Sequence, residues 1–206
     1  MTLMEFHMKK IFNVFFEVLA TVCFVCVCTG CGYNTLVEQR EAVTSQWANV
    51  ENQYQRRADL IPNLVATVQG YAKHENEVFT DIAEARGKLS GSPVIDSSIT
   101  EDPEAFAQYQ KMQNQLGTSL GRLIAISEAY PELKANENFR DLQSQLEGTE
   151  NRIATERKRY NDAARTYNVT RQKIPTVLVA NIFGFKEKAY FTASEGAQKA
   201  PAVNFN

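Results

Sequence analysis

From Tyr33 onward, apolar residues recur at three- and four-residue spacing, and prolines interrupt the recurrence. Leu36, Val43, Trp47, Val50, Tyr54 and Ile61 share one face, with Arg40 and Arg57 in its gaps. That spacing predicts an amphipathic helix over 33–59. Pro62 lacks a backbone N–H and disfavours the helical region at Ile61, so a sharp corner is expected there, with the proline opening the next helix. Leu64, Val65, Val68, Tyr71 and Ala72, continued by Val78, Phe79, Ile82 and Leu89, predict a second helix over 62–89. Ser90, Gly91, Ser92 and Pro93 form a breaker cluster, and the polar segment to Thr100 reads as a surface loop.

Asp102 and Pro103 open a third helix over 103–130 by a mechanism: a side-chain cap, then proline at the first helical position. Its stripe is Phe106, Tyr109, Met112, Leu116, Leu120, Leu123 and Ile124. Gly117 and Gly121, four apart, predict close approach of another helix, with a membrane-style dimer face as the alternative. After Pro131, Asn136 caps a fourth helix over 136–173 along Phe139, Leu142, Leu146, Ile153, Tyr160, Ala164 and Tyr167. At 1.5 Å per residue it is roughly 55 Å long. Within it Arg157, Lys158 and Arg159 read as a solvated face, or as a contact for anionic headgroups. The fold class is all-α: an antiparallel four-helix bundle of long helices.

The two ends of the chain differ from the bundle. Lys9 and Lys10 precede the apolar run Val18 to Cys28, the arrangement of an export signal. Extending the run to the length of a membrane span takes in Asn13 and Glu17, and an acidic residue near mid-span costs about 2.5–3.5 kcal/mol. All 4 cysteines lie before Gly32, so no disulfide framework or thiolate metal site is expected in the folded domain. Only Cys31 follows small residues, Thr29 and Gly30. The sequence before it resembles a bacterial lipobox, apart from Cys28 where leucine is usual. Residues 1–30 are therefore expected to be a lipoprotein-type signal cleaved before a lipidated Cys31, leaving 31–206 as the domain. An uncleaved anchor ending near Cys31 is the alternative. Past Pro175, the run TVLVANIFGF is apolar but too short to span a membrane. It is expected to dock on the bundle, with Ile182, Phe183 and Phe185 as candidate interaction residues.

Little points to catalysis. With 22 basic and 24 acidic residues and a net charge of -2, nucleic acid is not an expected partner. His74 reads as a surface residue, and no metal-ligating, phosphate-cradling or nucleophile motif occurs in the sequence. No catalytic residue, metal or cofactor is expected. The polar concentration is at the corner, where Arg56 or Arg57 is expected to pair with Asp59 or cap carbonyls beside Pro62, and Asn63 to satisfy the next helix start.

The stretch RRADLIPNLV and the following GYAKHE resemble the signature of the LemA family of bacterial envelope proteins. The GF and YF pairs and the terminal PAVNF resemble that family's C-terminal pattern. The resemblance runs from about Tyr33 to the end and implies a four-helix bundle. It also implies relatives tied to building membrane compartments and to membrane protein quality control, while the lipoprotein-type signal leads to the expectation of a domain outside the cytoplasm. The expected function is a membrane-tethered, non-enzymatic scaffold or adaptor that meets envelope proteins. The alternative is a small-ligand-binding or enzymatic domain, with Tyr54, Arg57, Asp59 and Tyr71 converging on a small anion in a cleft.

Overall fold

The computed structural model describes residues 3–90 and 97–192. The Cys31 side chain, part of the predicted 90–100 loop and the terminal PAVNF lie outside the described residues. The regular elements among the described residues are all helical, without strands: α1 (Leu3–Gln69), α2 (Asn76–Ser90), a 3-10 turn (Ser97–Glu101), α3 (Pro103–Ile126) continued by a short 3-10 turn (Ser127–Ala129), α4 (Pro131–Ala135), α5 (Glu137–Gln172) and α6 (Thr176–Ile182). The chain divides into two compact units, one of residues 1–42 and 165–187, the other of residues 43–164 and 188–206.

Several boundaries follow from local chemistry. Asp102 caps α3, its Oδ1 accepting from the backbone N–H of Glu104 at 3.0 Å and of Ala105 at 3.1 Å. Asn136 does the same for α5, accepting from the N–H of Phe139 at 3.0 Å. The 36 residues of α5 extend about 54 Å, as its periodicity predicts.

The corner at Pro62 is corrected: α1 runs through the proline and ends at Gln69, so the helices expected over 33–59 and 62–89 have other limits. Pro62 is exposed, so the carbonyl its missing N–H leaves unpaired can turn to water. An interior proline costs about 3 kcal/mol. Ile61, Leu64 and Val68, all buried in one cluster around it, each contribute about 1.5–3 kcal/mol. Packing outweighs the local penalty. The chain turns instead at Gly70 to Glu75, where Tyr71 and Ala72 N–H groups both bond to the Val68 carbonyl.

The larger unit has one apolar end and one aromatic end. Ile61, Leu64, Val68, Ile82, Leu116, Leu120, Leu123, Leu133 and Phe139 build the first. Trp47 anchors the second, its ring centroid 5.6 Å from Phe106, 5.9 Å from Tyr109, 5.8 Å from Tyr160 and 6.1 Å from Phe191. Phe191 belongs to an extended tail whose backbone polar groups are met by helix side chains. Asn161 both donates to and accepts from Phe191 at 2.9 Å, and Gln110 donates to the Thr192 carbonyl at 2.6 Å. Lys188, buried, donates to Thr100 at 3.0 Å and Glu101 at 2.9 Å.

In the smaller unit, α6 packs Val179 and Ala180 inward. A Cβ added to Gly32 would lie 3.6 Å from Val179, so α6 rests on α1 next to Cys31. Phe185 is buried beside Tyr33, ring centroids 5.6 Å apart, with the Arg40 guanidinium 5.2 Å from its ring. Gly184 takes φ +69, a left-handed turn that glycine adopts at least cost, and the next N–H, of Phe185, bonds back to the Ala180 carbonyl at 2.9 Å.

Candidate functional site

The polar centre of the larger unit is built from residues that sit on the apolar stripes. Arg57 follows Tyr54 by three positions and precedes Ile61 by four, so the helix period turns it inward. It is 2% exposed. One guanidinium nitrogen donates to Glu150 of α5 at 3.0 Å. Another donates to the Gln113 carbonyl of α3 at 3.2 Å and to the Gln113 side-chain oxygen. Gln113 in turn donates to the Tyr109 hydroxyl at 2.8 Å.

A second guanidinium extends the network. Arg157, half-buried on α5, donates to the Tyr54 hydroxyl at 2.8 Å and to Asn114 at 3.4 Å. Tyr54 stands between the two cations, 5.3 Å from Arg57 and 5.5 Å from Arg157 by ring centroid. Burial pushes the Tyr54 phenol above its ordinary range, with Arg157 opposing that shift. Burial likewise raises Tyr109 and Tyr160. All three phenols stay protonated at neutral pH and cannot serve as general bases there.

An open cleft of about 860 Å³ runs beside this network, lined by Arg57, Lys111, Gln113, Asn114, Glu150 and Arg157 among others. The guanidinium donors that face it are largely committed to Glu150, Gln113 and Tyr54, and the arrangement ties α1, α3 and α5 together. Gly117 and Gly121 do not bring a helix close. A Cβ on Gly117 would meet Arg57 at an ordinary 3.6 Å and one on Gly121 would meet nothing within 4 Å. Both line a hollow of about 430 Å³ with Leu146 and Glu150. Among the described residues, no group of three or more His, Cys, Asp or Glu is placed to hold a metal ion.

Residues 46–205 match the LemA family. The chain belongs to the LemA family. Among curated relatives, Magnetosome protein MamQ 1 of Paramagnetospirillum magneticum is 32% identical over 190 residues, covering 85% of this chain and 70% of the relative. Magnetosome protein MamQ of Magnetospirillum gryphiswaldense is 31% identical over 175 residues, covering 77% and 64%. Protein LemA of Metamycoplasma hominis is 25% identical over 187 residues, covering 91% and 80%.

The LemA-like stretch RRADLIPNLV is thus split by the helix period. Arg57, Ile61 and Leu64 point inward, while Arg56, Asp59, Pro62 and Asn63 are exposed. The expected pairing of an arginine with Asp59 is corrected: Asp59 accepts from Gln55 one turn back at 2.7 Å, and Arg57 reaches Glu150. Asn63 caps no helix start, and its carbonyl accepts from Thr67 at 2.8 Å. Tyr71 lies apart from the network, accepting from Asn136 at 3.0 Å. Asp59→Ala should therefore change the unfolding free energy by less than about 0.5 kcal/mol in a thermal melt. A loss of 1–3 kcal/mol would restore a buried pair.

The sequence reading did not single out Glu150, Gln113 or Lys188, and it placed Arg157 on a solvated face. Three of the four had a signal: Gln113, Glu150 and Arg157 each fall at stripe positions, between Tyr109 and Leu116, Leu146 and Ile153, and Ile153 and Tyr160. Lys188 had none, because its partners belong to the 3-10 turn 88 residues away. Of the C-terminal candidates, Ile182 and Phe183 are exposed and Phe185 is not.

Proposed function

We propose that this chain is a membrane-tethered, non-catalytic scaffold or adaptor of the bacterial cell envelope, exported by residues 1–30 and held by a lipid on Cys31. Its helices, arranged as an antiparallel bundle, present surfaces to envelope proteins outside the cytoplasm. The observation that carries this reading is the committed interior: aromatic rings fill one end of the larger unit, and Arg57 is spent on Glu150 and Gln113. A core used this way holds helices in place and offers no reacting group. The relatives' names tie those proteins to the magnetosome, which supports a structural role. Among the described residues no helix is long and apolar enough to cross a membrane.

Two measurements test it. Cys31→Ser should release the protein from membranes or leave an unprocessed precursor. Unchanged mass with full membrane retention would favour an uncleaved helix. Crosslinking in intact cells should capture a set of partners that changes when exposed Arg56 is altered. An unchanged set, with stoichiometric binding of a small molecule by the purified protein, overturns the scaffold. The second reading, a small-anion or enzymatic site near Arg57 and Asp59, draws on the cleft that Lys111, Arg57 and Arg157 line.

A further inference from the structure

The smaller unit leaves an apolar ridge uncovered. Leu178 and Ile182 lie one turn apart on α6, 61% and 75% exposed, while their neighbours Val179 and Ala180 are buried. Ile174, one residue before the loop proline, is 87% exposed, and Phe183 at the helix end is 58% exposed with its ring edge-on to Tyr33, centroids 4.9 Å apart. Isolated exposed apolar residues are ordinary, but four in one ten-residue segment are a concentration that signals a partner.

The chemistry around the ridge says what covers it. Residues 165–187 carry Arg165, Arg171, Lys173 and Lys186 against Glu187 alone, in a chain whose net charge is -2. Lys173 and Lys186, both exposed, flank the apolar residues on either side. Exposed apolar side chains bracketed in sequence by lysines suit the boundary between acyl chains and anionic headgroups. Position within the unit agrees. Gly32 rests against Thr176 and Val179 of α6. It lies one residue after Cys31, about 1.5 Å of helix rise from the proposed lipid attachment. The ridge is therefore held beside the point where the chain meets the membrane.

We infer that Ile174, Leu178, Ile182 and Phe183 insert into the interface of an anionic phospholipid bilayer, making α6 a second membrane contact beside the one at Cys31. This rests on the tether reading. A single acyl chain gives only marginal, reversible membrane binding, and stable anchoring takes two signals. α6 supplies the second and sets the orientation of its own unit on the surface.

The test uses the full chain in vesicles of phosphatidylglycerol and phosphatidylethanolamine, with tryptophan introduced as Ile182→Trp. The native Trp47 is buried and serves as a constant background. The difference emission should be blue-shifted and lose most of its intensity when the lipids carry bromine on their acyl chains. Gln55→Trp, at an exposed position of α1, should show neither effect. A water-like, unquenched Ile182→Trp in protein that still floats with vesicles overturns this inference and leaves the tether standing. Blue-shifted emission that bromine does not quench also overturns it, since the cover is then protein. Failure of the parent chain to float overturns both readings. A further variant, Leu178→Asp with Ile182→Asp, should fold as the parent does by circular dichroism and float less at high salt. Flotation equal to the parent's at every salt concentration counts against the ridge.

Discussion

Glu150→Ala is expected to destabilise the protein by about 3 kcal/mol, the lower end of the range for orphaning a buried charge. The asymmetry of the pair explains why. Arg57 is 2% exposed and the Glu150 side chain 43% exposed, so the carboxylate can rehydrate if its partner goes, whereas the guanidinium cannot. Gln113 still accepts from Arg57, and water from the adjoining cleft can reach part of the group, which keeps the loss from being larger. Arg57→Met, which replaces the cation with an unbranched apolar chain, should cost less than Glu150→Ala. The double variant should recover most of the loss. Urea unfolding of the four proteins in one buffer measures this. Glu150→Ala as stable as the parent would remove the clasp, and a stable Arg57→Met that loses binding of a small anion would favour the ligand site.

Trp47→Ala should cost about 3–5 kcal/mol. Trp47 is 1% exposed and touches four aromatic rings drawn from α3, α5 and the C-terminal tail. Removing it leaves a cavity that four rigid rings cannot close without leaving their rotamers. Its indole N–H has no protein partner among the described residues, so the loss is one of packing, and Trp47→Phe should be much milder. Because Phe191 stacks on the indole, the alanine variant should also loosen the tail. Limited proteolysis near residues 188–192 reads that directly. A loss below about 1 kcal/mol, or a tail as protected as in the parent, would mean the aromatic cluster does not hold the two together.

Much of this fold was legible because helix period and helix ends are local properties. Leu36, Val43, Trp47, Val50, Tyr54 and Ile61 are all buried, as the three–four spacing requires. Asp102 and Asn136 cap the helices their positions announce. The interior polar network was half legible: Arg57 stood out in the gaps of an apolar stripe, but its partner did not. That partner is Glu150, and 93 residues of chain separate the pair. Nothing in the local pattern chooses between Asp59, two residues away, and Glu150.

What the sequence alone determined is therefore the helical class, the inward faces, the capped starts and the family, each carried by short spacings whose energetics are settled within one or two turns. The tertiary structure decided the rest. Pro62 stays inside α1 because Ile61, Leu64 and Val68 pack into a core assembled from α2, α3, α4 and α5, and that burial exceeds a penalty that is fixed locally. Lys188 and Phe191 are held because α3, α5 and the 3-10 turn offer partners. Leu178 and Ile182 remain exposed while Phe185 is buried, although all three belong to one apolar run. Burial depends on which surfaces a distant segment brings, and that free energy is summed over the whole fold.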